Sequence, residues 1–243
     1  MKGIVQPVVT ARTPRLPSRG VLAATRSDMQ PLAAALNLTD IHPKALYMSQ
    51  LYAADEVFLA GPFMGAPSAV MILENLAAWG GREFIFMGWC GAVSPQVHIG
   101  DILVPALAWI DEGTSPSYLP LPADTSHPCL SLADRIEQAI NAASLPFHRG
   151  AVWTTDAIFR ETPEKVQYYQ DKGALAVEME LSALFTVAEY LKVRIAAVLV
   201  VSDDLSSLTW KPGFKEKAFI ENRKQVVRCI HTIMKDPLLT GEY

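Results

Sequence analysis

The apolar residues of this chain come in short blocks, each cut off by a polar or glycine-rich turn. Gly20-Val21-Leu22-Ala23-Ala24 breaks at Thr25-Arg26-Ser27-Asp28, the pattern of a buried strand running into a helix N-terminus. A helix is predicted over 29–38, with Ser27 or Asp28 as its N-cap and Pro31 in its first turn. Residues 46–52 and 56–60 alternate as strands around a turn at 53–55, and Gly61 to Ser68 leads into a helix over 68–79. Further strands are expected at 83–87, where Gly88-Trp89-Cys90-Gly91-Ala92 closes the run, after 97–101, at 147–153 and at 195–201. The remaining helices fall at 130–143, 163–172, 181–191 and 214–234, with Gly173 as a C′ stop. Residues 111–128 have no periodicity and form the one long loop, the kind that serves as a lid or binding loop.

This order predicts one α/β domain, with a mixed, mostly parallel sheet covered by helices on both faces. In such sheets, ligands bind in the crevice beyond the strand ends. Polar residues follow buried runs near Asp28, at 61–68, at 88–92 and at 156–160. They do so again in Ala176-Val177-Glu178-Met179-Glu180 and in Val200-Val201-Ser202-Asp203-Asp204. One crevice at one sheet edge would collect them all.

The length of 243 residues suits a single large domain at 20–243, preceded by an arm or tail at 1–19 that holds four basic residues and three prolines. A net charge of −4 without a basic run argues against nucleic acid as the main partner. Cys90, Cys129 and Cys229 lack metal or redox spacing, which fits a reducing cytoplasm. No apolar stretch approaches the roughly 18 residues of a membrane span, no signal-peptide core is present, and the five histidines are scattered away from any ligand-like cluster.

In an extended segment Glu178 and Glu180 point the same way, and two acceptor-only carboxylates suit the grip of a sugar diol. Asp203 or Asp204 could be held protonated by burial and by neighbouring charge. The Ser27–Asp28 turn offers an anion or polar-ligand site at a helix start, although capping alone would explain the same residues. Cys90 has no nearby cation to favour a thiolate and reads as a small buried filler.

Several of these stretches occur together in a familiar order. Met64-Gly65-Ala66-Pro67-Ser68, Gly88-Trp89-Cys90-Gly91-Ala92-Val93 with His98 to Val104, Thr155-Asp156-Ala157-Ile158-Phe159, Val177-Glu178-Met179-Glu180 and Ser202-Asp203 resemble the motifs of nucleoside phosphorylase family 1. That family holds purine nucleoside phosphorylases, uridine phosphorylases and related nucleosidases, and the resemblance runs over about residues 20–235. It implies a three-layer α/β/α fold with a distorted sheet, assembled as a dimer, trimer or hexamer with sites near subunit contacts. It implies that Glu180 and Met179 bind the ribose with Glu178 in support, and that Asp203 donates a proton or hydrogen bond at the base. Phe159, with Ile158, Cys90 and Gly91, would then lie along the base. No organic cofactor or metal is implied, phosphate being a co-substrate.

Two departures bear on the acceptor. Phe86 and Trp89 stand where family phosphorylases carry an Arg and a Ser or Thr, and Thr25 to Met29 replaces the family's Gly-Asp-Pro and following Arg. Arg26, Gly65, Trp89 or Lys44 would then have to hold the anion, with Arg82 and Arg160 as further cations. Asp28 falls near the place of the acid that activates water in the nucleosidase branch. Three readings follow: phosphorolysis of a nucleoside, hydrolysis through Asp28, or a nucleoside-binding protein with little turnover.

Overall fold

The computed structural model describes residues 3–119 and 122–236. The strands are β1 (Arg19–Ala23), β2 (Lys44–Leu46), β3 (Ser49–Ala53), β4 (Phe58–Gly61), β5 (Glu83–Ala92), β6 (Ile102–Asp111), β7 (Thr125–Ser126), β8 (His148–Thr155), β9 (Ala174–Glu178), β10 (Arg194–Asp204) and β11 (Lys211–Pro212). The helices are α1 (Arg26–Ala35), α2 (Ala66–Ala78), α3 (Leu130–Ala142), α4 (Pro163–Asp171), α5 (Leu181–Leu191) and α6 (Lys217–Lys235).

β5 is the hub of the sheet. It pairs in parallel with β1 on one side and with β10 along nearly its whole length on the other, and its far end also meets β9 antiparallel. From β1 an open sheet continues through β4, β3 and β2. On the other side β5, β10, β6, β8 and β9 close into a ring of hydrogen-bonded strands. The expected mixed sheet is therefore distorted by closing on itself at one end. The longest ladders, β5–β10 and β6–β8, are parallel, as are β1–β5, β1–β4 and β8–β9, whereas β5–β9, β6–β10 and the β2–β3–β4 run are antiparallel.

The alternation along β5 and β10 builds two cores. Phe84 and Phe86 face α2 and α5, in a layer with Leu73, Leu184 and Phe185. Ile85 and Met87 face the opposite layer, with Leu32 of α1, Ile136 of α3 and Phe219 and Ile230 of α6. Burying each such side chain contributes about 1.5–3 kcal/mol relative to leaving it in water. α5 is buried around most of its circumference, from Leu181 through Ala188, as a helix clamped between a sheet and a neighbouring helix should be.

The differences from the sequence reading have local causes. The glycines after Met87 do not end β5, which runs on to Ala92. A Cβ on Gly88 would come 2.6 Å from the Phe86 ring, and one on Gly91 2.6 Å from Leu205. Here glycine marks close packing within a strand. The run expected as one strand over 46–52 is two, because the chain turns at Tyr47, which has φ +56°. α1 begins at Arg26, earlier than expected, so neither Ser27 nor Asp28 is its cap; Thr25 holds that position. The 111–128 loop contains a 3-10 turn at Ser115–Ser117 and the short β7; Pro120 and Leu121 lie outside the described residues. Gly173, with φ +78°, follows the end of α4 as a C′ residue should.

Candidate active site

Glu178 and Glu180 part company at the end of β9. Glu180 turns toward the start of α2, where its Oε1 accepts the Gly65 N–H at 2.6 Å. Gly65 can present that N–H because it sits at φ +80°, a backbone shape that glycine adopts without strain. The carboxylate thus meets the positive end of a helix. Glu178 turns the other way. Its Oε2 accepts the backbone N–H groups of Glu180 and Leu181 at 2.7 and 2.8 Å, and its Oε1 accepts the Thr154 hydroxyl. The expected parallel pair of acids is therefore absent: Glu178 secures the first turn of α5 and fixes the backbone that carries Glu180. Burial pushes both carboxyls above the usual carboxylate range, Glu178 further because of the Glu180 charge.

Thr154 extends this buried chain of polar contacts. Its hydroxyl also accepts the Ser182 N–H at 2.9 Å, and the Ser182 hydroxyl donates to Glu112 Oε1 at 3.0 Å. Glu112 in turn accepts the Ser115 N–H at 3.0 Å. The start of the long loop and the start of α5 are thereby tied to one another beneath Glu180.

Asp203 lies on the neighbouring strand end, paired in register with Gly91 of β5. Its Oδ1 accepts the Ser202 hydroxyl at 2.6 Å and its Oδ2 the Trp210 indole N–H at 2.9 Å. A Cβ on Gly91 would stand 3.1 Å from Asp203 Oδ2, so glycine leaves room for the carboxylate. Asp204 is turned aside to the Ser206 N–H at 2.7 Å and to Lys211 at 3.4 Å. Glu161 is the residue that the sequence reading missed here. Burial, and then the Asp203 charge, raise its carboxyl to about 7. Cys90 is buried beside the same group; burial first and Asp203 next push its thiol up, so it is an inert filler.

Asp28 is 1% exposed and fully engaged. Its Oδ2 accepts from the Thr25 hydroxyl at 2.6 Å and the Trp89 indole at 2.8 Å; its Oδ1 accepts from Arg223 Nε and Nη2 at 3.0 and 2.5 Å. The Arg223 guanidinium also lies 4.6 Å from the Trp89 ring centroid. With its oxygens held by four donors, Asp28 has no open position from which to take a proton from water. Arg223 was not singled out from the sequence. The available signal was a cation on the apolar stripe of α6, one helical turn from both Phe219 and Val226.

The other candidates are dispersed. Gly65 does bind an anion, and that anion is Glu180. Arg26 is exposed at the start of α1, and Lys44 is exposed on the edge strand β2, three strands from β1. Arg82 is occupied with the carbonyls of Ala77 and Gly81 at the end of α2. Phe159 and Ile158 are 96% and 52% exposed in a 3-10 turn that also holds Arg160. Met179 is half-buried at the bend between the two glutamates. Among the described residues no three His, Cys, Asp or Glu side chains gather as a metal site.

A family model described as the phosphorylase superfamily matches residues 18–236. Among curated proteins, the guanosine phosphorylase of Halorubrum lacusprofundi is 29% identical over 179 residues, 72% of this chain and 73% of that protein. The DeoD-type purine nucleoside phosphorylase of Bacillus cytotoxicus is 32% identical over 158 residues, 63% of this chain and 66% of that one. Among solved structures, the AMP nucleosidase of Bacteroides thetaiotaomicron has a TM-score of 0.72 at 25% identity, with 90% of each chain covered. The uridine phosphorylase of Vibrio fischeri shares the fold, with a TM-score of 0.77 at 20% identity over 94% of this chain and all of that one.

The buried contacts under Glu180 set an expected stability cost. Thr154→Val keeps the shape but leaves the Ser182 N–H and one Glu178 oxygen without their partner in a dry place, at about 1–3 kcal/mol per unsatisfied group. Urea unfolding of Thr154→Val should show a loss in that range, and Thr154→Ser should recover most of it. A valine variant as stable as the parent would contradict the network.

Proposed function

The chain belongs to the phosphorylase superfamily, and from that premise we propose that it cleaves the N-glycosidic bond of a nucleoside. One observation carries the reading: a buried carboxylate, Glu180, is held at the N-terminus of α2 while a second acid, Asp203, stands at the end of β10 beside Gly91. In the transition state the sugar becomes cationic and the departing base anionic, so a carboxylate at one end and an acid at the other stabilise both. Glu180 keeps acceptor capacity beyond the Gly65 contact, because an ionised carboxylate offers about four lone-pair sites; it takes the ribose hydroxyls, with Met179 against the sugar. Ser202 and Trp210 orient Asp203 toward the base. Glu161, raised by burial and then by the Asp203 charge, is a second carboxyl at the base end of the site.

The names of the curated relatives favour a purine nucleoside and phosphate as the acceptor. Phosphate then acts as co-substrate and no organic cofactor is needed. A second reading, hydrolysis, is favoured by Phe86 and Trp89 in place of polar phosphate ligands, although the four donors around Asp28 weigh against that residue as the base. The three free cysteines fit a cytoplasmic enzyme, and among the described residues no helix is long and apolar enough to cross a membrane.

A second copy of the chain completes the site in this reading. Phe159 and Ile158, two or three residues before Glu161, and Met64, next to Gly65, are exposed, as are Met48 and Tyr47, with Phe159 96% and Met48 99% in solvent. Large apolar side chains so placed mark a surface that a partner covers, and a base-stacking aromatic needs that cover.

Base release should be measured over a panel of purine and pyrimidine nucleosides, with and without phosphate. Release of a purine that requires phosphate and yields ribose 1-phosphate is the expected result. Phosphate-independent release of free ribose would establish the hydrolytic reading, and no release from any nucleoside would end both. Glu180→Gln should lower kcat/KM by roughly 10- to 100-fold, the effect of losing a charged hydrogen-bond partner of about 1.5–3 kcal/mol; an unchanged value would remove Glu180 from the ribose site. Light scattering should return the mass of a dimer or larger assembly, whereas a strict monomer would sink the shared-site proposal.

A further inference from the structure

The Asp28 carboxylate has around it what a bound oxyanion has in a built anion site. A guanidinium donates two N–H groups, an indole donates a third, a hydroxyl a fourth, and the group lies in the first turn of α1, where the helix dipole favours negative charge. The clasp is closed on its inner side by Phe219, whose ring lies 5.0 Å from Trp89 and 5.2 Å from the Arg223 guanidinium. On its outer side Arg223 Nη2 also donates to the Ser27 hydroxyl at 3.1 Å. Ser27 and Arg26 line a cavity of about 700 Å³ whose wall includes Gln50, Tyr52 and Pro62. Pro62 opens the turn that carries Gly65, and the next N–H along, that of Phe63, binds Ala24 O at 3.2 Å. The cavity thus lies beside the clasp, which it meets through Ser27, and Pro62 in its wall begins the turn that leads to Gly65.

We propose that Arg223 is the acceptor-anion residue of this protein and that Asp28 is an internal anion that closes it, so that inorganic phosphate binds at Arg223 only by displacing the Asp28 carboxylate. The inference rests on the reading of the chain as an N-glycosidic enzyme whose acceptor is phosphate. It accounts for the missing ligands. Phe86 and Trp89 take away the polar groups of the usual cradle, and the one N–H that Trp89 brings is spent on Asp28. The cation needed to hold phosphate comes instead from α6, at the far end of the sequence. Two anions cannot share Arg223 at close range, since a phosphate carrying up to two negative charges is repelled by an adjacent carboxylate with little solvent between them. One must leave, and Asp28, in the first turn of α1, is held through the side chains of Thr25, Trp89 and Arg223.

The test is direct phosphate binding by titration calorimetry, with no nucleoside present, on the full chain and its variants. Asparagine at position 28 keeps the shape but turns one of the two acceptors into a donor, which faces a surrounding donor and opens the clasp. Asp28→Asn should bind inorganic phosphate at least roughly tenfold more tightly than the parent, because the competing charge is gone. Arg223→Gln, and the double variant, should lose that binding. An Asp28→Asn protein that binds phosphate no more tightly than the parent would overturn the proposal, as would an Arg223→Gln protein that binds it equally well. If circular dichroism shows that Asp28→Asn does not fold, Trp89→Phe removes one donor from the clasp without changing charge. It should then tighten phosphate binding severalfold, and an unchanged affinity would be equally damaging. Because the readout is binding, it stays separate from the nucleoside reading: failure to release any base in the panel would sink the activity, and failure to tighten would sink the clasp.

Discussion

Three buried carboxylates at helix starts, two met by backbone N–H groups and one by side-chain donors, hold this site together. Glu180 takes the Gly65 N–H at the start of α2, Glu178 takes two N–H groups at the start of α5, and Asp28 lies in the first turn of α1. A buried carboxylate without partners costs several kcal/mol, and unpaired N–H groups at a buried helix end cost in the same way. Placed against one another, the carboxylates of Glu180 and Glu178 and the helix starts of α2 and α5 cancel each other's penalties, while Asp28 is satisfied by the side chains of Thr25, Trp89 and Arg223. The arrangement fixes the directions from which α1, α2 and α5 leave the sheet, and it also puts negative charge where a cationic sugar would be stabilised. Fold and candidate chemistry thus depend on the same contacts.

Those contacts are possible because the sheet brings its strand ends together. β5 carries a continuous apolar run that is buried on both faces, so it can pair with β1 and β10 at once. Its glycines let β10 and the 203–205 turn approach without a side chain between them. The ring closed by β6, β8 and β9 then delivers Thr154 and Glu178 under the start of α5. A flat sheet would leave β9 too far from β5 for Val177 to pair with Gly91. The distortion is the means by which Glu180 and Asp203 come to flank one strand end.

Much of this was legible in the residue pattern. The strand–helix order, the two-sided burial of the sheet and the clustering of polar residues at strand ends all follow from local periodicity, which is strong in segments such as 181–201. What escaped was tertiary. The divergence of Glu178 and Glu180 depends on the chain bending at Met179, and the alternation rule for extended backbone cannot anticipate such a bend. The glycines at 88 and 91 predict a strand end because local sequence does not reveal whether glycine is making a turn or admitting a neighbour. Arg223 was hidden in a helix read for its apolar stripe, and its partner Asp28 lies 195 positions away. Glu161 lies just past the polar 156–160 stretch, and only the fold brings it under the Asp203 charge.

The same limits explain why the acceptor is the least legible part. In the proposed reading, ribose and base would be met by groups on strand ends that the sheet itself aligns, so the motif residues stay close in sequence to the strands that carry them. An acceptor anion needs positive charge, and the charge proposed for it, Arg223 of the last helix, is already paired with Asp28. Local sequence around Phe86, Trp89 and Thr25 to Met29 therefore gives the impression of a site that has been deleted. Asp28 and Arg223 change that impression: the cation is present, and the anion beside it belongs to the protein. Whether the site accepts phosphate is then a question of competition between two anions for one guanidinium, which is set by charge and by how firmly Thr25 and Trp89 hold the carboxylate in place.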